Sequence, residues 1–251
     1  MQYHLIIKST KSKKNKSGQT DMHKIQSSHK AKITKVANKK LKESSKKWVK
    51  RHINDPFVQQ ARIDNFISRA AYKIIEINDK YKLFSKPMNV VEIGAAPGSW
   101  SQIIWDKIEN VKSKLISIDL LEMIFQPQKG QKNIHQIQGD FTSKNVQQKV
   151  LNLSNGKINL ILSDMAPNTI GCGIADQLAI EELSQQVIEF AKKHLSVNGS
   201  LVYKVLEGDG VRLALPDLRK NFKLVKPFKP TASRKNSKEL YIVAINYKNK
   251  K

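Results

Sequence analysis

Residues 90–100 read VVEIGAAPGSW, and no other stretch limits the folds open to this chain as strongly. An apolar run carrying one acid gives way to a turn of glycine and proline, and then to a run with helical spacing. That order is strand, tight turn, helix. The pattern then repeats. MNVVEI is followed by SWSQIIWDKI, SKLISI ends at Asp119, and NIHQIQ precedes Gly139-Asp140. NVQQKVLNL reads as a helix and INLILS as a strand ending at Asp164. A long helix over DQLAIEELSQQVIEFAKKHL is expected to stop at Asn198-Gly199, before the strand SLVYKVL. GVRLALPDLRKNF is expected to begin as a helix that breaks near Pro216. FKLVKPF and ELYIVAINY follow as strands with no helix between them. Strands alternating with helices form a parallel sheet, and a final pair without a crossover adds an antiparallel member. The predicted class is therefore α/β: a doubly wound, mostly parallel seven-stranded Rossmann-like sheet with one antiparallel strand.

Ahead of this core lie two segments of different composition. Residues 1–44 are rich in lysine, serine, asparagine and glutamine and are expected to be a basic, disordered tail. Residues 45–88 carry apolar side chains at helical spacing, among them Ala70, Ile74, Ile77 and Tyr81, and are expected to be a helical segment packing on the domain. Residues 89–251 are the core.

The formal charge is +24, of which residues 1–50 carry +13 from fifteen lysines against Asp21 and Glu43. The remaining +11 lies in the body of the chain, so a polyanion is expected to touch the domain as well as the tail. The single cysteine, Cys172, excludes an internal disulfide and a multi-cysteine zinc site, and no metal is expected. No apolar run approaches the ~20 residues that cross a bilayer. A cytoplasmic monomer without membrane contact is the expectation.

In a doubly wound sheet the ligand sits beyond the carboxyl ends of the strands. Gly94 and Gly98 allow a close approach there, and the helix that follows aims its first N–H groups at the same place. The turn is not Gly-x-Gly-x-x-Gly: Ala96 and Ser99 occupy positions where a pyrophosphate-binding turn needs glycine, and Pro97 has no N–H. A smaller polar group, such as the two ends of an amino acid, suits it better. Asp119 ends the second strand, where a carboxylate can bind both ribose hydroxyls. Asp140 follows the third strand, where it can accept from an exocyclic amine. Each acid alone reads as a loop cap. Together, in order, they describe a site for amino acid, ribose and adenine, which is S-adenosylmethionine. Trp100 either packs over that ligand or fills the core, and Trp105 is expected in the core.

Two further groups stand out. Asp164 ends the fourth strand beside the proposed ligand, and Lys204 lies within an otherwise apolar strand. A lysine in such a place is costly unless paired, although it could equally snorkel to water.

In order along the chain occur SRAAYKIIEI, VVEIGAAPGSWSQ, IDLL, QGDF, SDMAPN, LVYKV, Lys229-Pro230 with Ala232-Ser233-Arg234, and SKELYIVA. This set resembles the FtsJ/RrmJ family of 2′-O-ribose RNA methyltransferases over about Ser45 to Tyr247, and SSKKWVKRHINDPFVQQA resembles its bacterial ribosomal branch. The resemblance implies a catalytic tetrad of Lys73, Asp164, Lys204 and Glu239. It implies S-adenosylmethionine contacts at Gly94, Gly98, Trp100, Asp119, Asp140 and Asp164. Ser99 departs from a glycine common in the family and is expected to crowd the methionine end slightly. The reading that follows is methylation of a uridine 2′-hydroxyl in 23S rRNA of the large ribosomal subunit, with Lys204 taking the proton, Asp164 fixing that lysine, and Lys73 and Glu239 orienting the ribose. A tRNA ribose methyltransferase and a non-catalytic RNA-binding assembly factor are the alternatives, and an intact tetrad argues against the second. Basic residues before the sheet (Lys46, Lys47, Lys50, Arg51, Arg62, Arg69) and near Glu239 (Lys226, Lys229, Arg234, Lys235, Lys238) are candidate phosphate contacts.

Overall fold

The computed structural model describes residues 43–84, 87–109, 112–128, 130–167, 173–234 and 236–248. Nearly all of the expected tail, together with Cys172 and Lys235, falls outside them. The described residues belong to two compact units divided between Phe66 and Ile67.

The first unit contains α1 (Glu43–Ile53) and α2 (Pro56–Ile63). Asp55 starts α2 by accepting the Phe57 N–H at 3.0 Å, and Pro56 occupies a first-turn position where no intrahelical N–H is needed. Phe57, Val58 and Ala61 are buried along one stripe of α2.

The second unit starts with α3 (Ala71–Tyr81), which ends at Lys82 in the left-handed conformation. Tyr72, Ile74 and Ile77 on this helix are fully buried, and each such burial stabilises the fold by roughly 1.5–3 kcal/mol. That anchors the helix that carries Lys73 and Glu76 beside these buried residues. There follow β1 (Asn89–Ile93), α4 (Ser99–Ile108), β2 (Lys114–Asp119), β3 (Ile134–Gln138), α5 (Lys144–Ser154) and β4 (Ile158–Ser163). The chain continues through α6 (Gly173–His194), β5 (Leu195–Leu206), α7 (Asp209–Asn221), β6 (Phe222–Phe228) and β7 (Glu239–Tyr247). Ser143 caps α5 through the Val146 N–H at 3.3 Å, and Asn155 closes it in the left-handed conformation.

The seven strands lie in the order β3-β2-β1-β4-β5-β7-β6. All neighbours from β3 to β5 pair in parallel, and β7 runs antiparallel to both β5 and β6, so it is the one reversed strand. Consecutive residues of β1 are buried, as in a strand covered on both faces. The order turns back between β1 and β4, so their carboxyl ends flank the topological switch point, joined by the Asp164 N–H donating to the Ile93 carbonyl at 3.0 Å.

Three local expectations are corrected. Asn198-Gly199 does not stop the long helix, which ends at His194. Leu195 already pairs with Ile158, whereas Leu160 pairs with Ser200, and Asn198 takes a φ of 62° within this irregularity. The two residues therefore shape a bulge in a strand, a use of Asn-Gly that composition cannot tell from a cap. Pro216 does not break α7. Burial of Leu218 and Phe222 beyond it holds the helix together against the lost hydrogen bond. Trp105, expected in the core, is only half-buried, and its indole Nε1, though enclosed, has no hydrogen-bond partner among the described residues.

Candidate functional site

Asp164 lies at the centre of the site, one residue past β4. The Lys204 ammonium donates to its backbone carbonyl at 2.6 Å and sits 3.0 Å from its Oδ1. Lys204 extends from β5 and keeps only 9 % of its side chain exposed. On the other side Lys73, from α3, is 3.9 Å from Asp164 Oδ2 and 2.7 Å from Glu239 Oε1. The structure thus brings Lys73, Asp164, Lys204 and Glu239 into one cluster of alternating charge. Burial pushes the Asp164 carboxyl up, but Lys204, Lys73 and the Tyr241 hydroxyl together hold it below its ordinary value.

Tyr241 was not visible as a site residue in the sequence. Its hydroxyl donates to Asp164 Oδ1 at 2.7 Å, and Lys73 lies 5.7 Å from its ring centroid. Burial and the charges of Asp164 and Glu239 keep the phenol protonated by raising its pKa well above the usual range. Tyr241 pairs directly with Lys204 across β5 and β7, so the ladder register itself delivers both to Asp164. That register could not be read before the strand pairing was known.

The glycine turn lies on the same side of the sheet ends. Gly94 has φ 76° and Gly98 φ 104°, and a Cβ on Gly98 would meet Phe125 Cβ at 2.2 Å. The Asp119 carboxylate holds this turn by accepting from Ala96 at 2.8 Å and from Leu121 at 2.8 Å. Gly139 donates to the Asp119 carbonyl at 2.8 Å, which brings Asp140 alongside, while the Asp140 carboxylate accepts from Thr142 at 2.8 Å. Trp100 is buried at 3 % exposure, donates to the Ala70 carbonyl at 2.9 Å and lies 5.6 Å from the Tyr241 ring. It joins the glycine turn to the charged cluster. The Ser99 hydroxyl meets Ser68 Oγ at 2.7 Å, so the serine is absorbed by a partner on the chain.

Glu92, within β1, is a buried acid that sequence reading treated only as part of a strand. It accepts from Ser101 at 2.5 Å and Ser117 at 2.8 Å. Burial raises its carboxyl to about 7, against the lowering effect of the two serines. An acid in an apolar strand was the available signal. Glu76 and Ser233 also went unnoticed: Glu76 accepts from Thr231 and Ala232, and Ser233 donates to Glu239 at 3.1 Å.

The exposed basic residues sit in both units. Lys47, Lys50, Arg51 and Arg62 are exposed on α1 and α2, and Lys226, Lys229 and Lys238 on β6 and the segment leading to Glu239. Arg69 instead donates inward to the Ala232 carbonyl. Burial lowers its pKa to about 10, helped by Arg234 and opposed by Glu239. No helix among the described residues is long and apolar enough to cross a membrane.

The FtsJ-like methyltransferase family matches residues 66–247. Ribosomal RNA large subunit methyltransferase E of Rickettsia bellii is 42% identical over 215 residues, covering 84% of this chain and 92% of that protein. The protein of the same name from Rickettsia typhi is 40% identical over 227 residues, covering 88% of this chain and 98% of its own. Among solved structures, a Plasmodium falciparum protein described as a ribosomal RNA methyltransferase superposes with a TM-score of 0.63 at 33% identity, over 72% of this chain and 98% of that one.

Proposed function

The chain belongs to the FtsJ-like methyltransferase family, whose methyl donor is S-adenosylmethionine, and on that premise we propose that it methylates the 2′-hydroxyl of a uridine in 23S rRNA of the large ribosomal subunit. The observation that carries this reading is the convergence of Lys73, Asp164, Lys204 and Glu239 beside the glycine turn. The names of the Rickettsia relatives support ribosomal RNA as the substrate.

The chain's own groups fit the donor. Gly98 is the N-cap of α4 and has no side chain to satisfy the first-turn N–H groups, which suits a carboxylate. Gly94 keeps the backbone slim beside it. Asp119 and Asp140, at successive strand ends, offer acceptors for ribose hydroxyls and an amine. When bound, the donor supplies an electrophilic methyl group on a sulfonium.

A ribose hydroxyl is a weak nucleophile that must be aligned and relieved of a proton. A neutral lysine amine has two N–H bonds and one lone pair. Lys204, an ammonium in its contacts with Asp164, takes that form once it has released one proton to solvent, and its contacts with the Asp164 carbonyl at 2.6 Å and Oδ1 at 3.0 Å then use both N–H bonds. The lone pair is left to take the 2′-hydroxyl proton. The Asp164 carboxylate, held ionised, stabilises the ammonium so formed. Lys73, pinned by Glu239, is the cation placed to hold the ribose oxygen as its charge grows. Basic residues of both units bind the phosphates and set the RNA's position rather than its sequence.

The test supplies labelled S-adenosylmethionine and large subunits from a strain lacking the modification, with tRNA in parallel, and locates any block to alkaline cleavage. One block in 23S rRNA, lost in Lys204→Ala, is the expected result. Label in tRNA alone overturns the substrate, and no label in either, with the donor bound, favours an assembly factor.

A further inference from the structure

Glu76 stands one helical turn beyond Lys73 on α3, on the same face. Its carboxylate reaches a turn 155 residues away: Oε2 accepts the Thr231 N–H at 2.7 Å, and Oε1 accepts the Thr231 hydroxyl at 2.8 Å. Oε1 also accepts the Ala232 N–H at 2.9 Å. The turn is closed by the Ser233 N–H donating to the Pro230 carbonyl at 2.9 Å, and Arg69 donates to the Ala232 carbonyl from the start of the same helical segment. Ala232 and Ser233 are both buried. The next residue with a catalytic consequence is Ser233, whose hydroxyl donates to Glu239 Oε1 at 3.1 Å, the oxygen that lies 2.7 Å from Lys73.

These contacts close a ring. It runs from Lys73 to Glu239, through Ser233 and its turn to Glu76, and back along α3 to Lys73. The link between β6 and β7 is an irregular segment, and Glu76 together with Arg69 ties its Thr231–Ser233 turn to the α3 end of the ring. A neutral side chain could hold one of the two backbone donors. Holding both N–H groups and the hydroxyl takes an acceptor on each oxygen, which is a carboxylate.

We propose that Glu76 is a positioning residue for methyl transfer: it clasps the Thr231–Ser233 turn to α3 and so sets Ser233 and Glu239 against Lys73. The inference rests on the methyltransferase reading above. Glu76 touches none of the reacting groups. It acts through the turn, and its loss displaces Glu239 without removing it.

The experiment compares full-length protein with Glu76→Gln, alone and with Glu239→Gln. The amide keeps size and shape but replaces one acceptor oxygen with a donor that faces the Thr231 or Ala232 N–H. Expected is a fall in kcat of about 10- to 100-fold with little change in the Kd for S-adenosylmethionine. Expected too is no further fall when Glu76→Gln is added to Glu239→Gln, because both act through one contact. Glu76→Asp, which restores both acceptors on a shorter stem, should recover part of the rate. A Glu76→Gln loss that persists in full in the Glu239→Gln background, or that follows lost donor binding and a lower Tm alone, overturns the proposal. Amide hydrogen exchange is read on the same proteins and does not depend on activity. Faster exchange confined to residues 231–239 is expected, and unchanged protection there overturns the clasp whatever the activity. If the wild-type protein transfers no methyl group to large subunits, the functional reading fails separately, and the exchange result still decides whether Glu76 holds the turn.

Discussion

Tyr241 donates to the same Asp164 oxygen, Oδ1, that lies beside Lys204: the hydroxyl is 2.7 Å away and the ammonium 3.0 Å. One carboxylate oxygen is thus shared between a phenol and the proposed base. Tyr241→Phe removes a hydrogen bond to a charged group, an interaction worth about 1.5–3 kcal/mol, while keeping the ring that packs on Trp100. The expected outcome is a fall in kcat of about 10-fold or more with intact folding. Steady-state kinetics and near-ultraviolet circular dichroism check it, and unchanged kcat would show the hydroxyl to be structural.

Lys204→Arg keeps the positive charge beside Asp164 but cannot give up a proton, since a guanidinium stays protonated in proteins. If Lys204 is the base, the expected loss is about 10²–10⁴-fold in kcat, with donor binding retained. Calorimetric titration of S-adenosylmethionine beside a single-turnover assay separates the two. A variant within a few-fold of wild type would assign Lys204 to electrostatic stabilisation alone.

Glu92 makes stability depend on pH in a defined direction. Its carboxyl ionises near 4.5 in the unfolded chain and at about 7 in the fold. Between those values the folded protein holds a proton that the unfolded chain has released. Its contribution is therefore whole below the lower value and is lost as pH rises towards the upper one, a change on the order of 3 kcal/mol. Glu92→Gln keeps the shape and removes the titration. The Tm difference, wild type minus variant, should fall across that window, and a flat difference would refute the assignment.

Lys47, Lys50 and Arg51 are exposed on α1, outside the proposed catalytic cluster. If they neutralise RNA phosphates, replacing all three by alanine should reduce the slope of log K against log salt by about 2–3. kcat at saturating substrate should hold. Filter binding at several salt concentrations measures it, and an unchanged slope would remove α1 from the RNA surface.

The strands INLILS, FKLVKPF and ELYIVAINY were legible to the residue because their apolar runs end at turn-forming neighbours. So were the helix SWSQIIWDKI and the single reversed strand. Asn198-Gly199 and Pro216 misled for one reason: a local signal was overruled by burial of Leu195, Leu218 and Phe222. Lys73, Asp164, Lys204 and Glu239 came from ordered motifs, since no spacing along the chain hints that they meet. Tyr241, Glu76 and Ser233 were missed because each works through a partner brought close only by the sheet order or by the turn before β7. Glu92 carried a signal in plain view, a charge amid valine and isoleucine, and needed only the question of what would neutralise it.

β7 follows β6 along the chain yet lies between β5 and β6 in the sheet. It carries Glu239 and Tyr241, so one of the four charged residues, and the phenol that meets Asp164, arrive with the last strand of the chain. Among the described residues β6 pairs in the sheet with β7 alone, so it belongs to the sheet only through β7. Closure of the sheet is thereby tied to completion of the proposed site. A chain with only β1 to β5 paired has the glycine turn, Asp119 and Lys204 but neither Glu239 nor Tyr241. It could not yet act on RNA, because the element that completes the chemistry is the one that closes the fold.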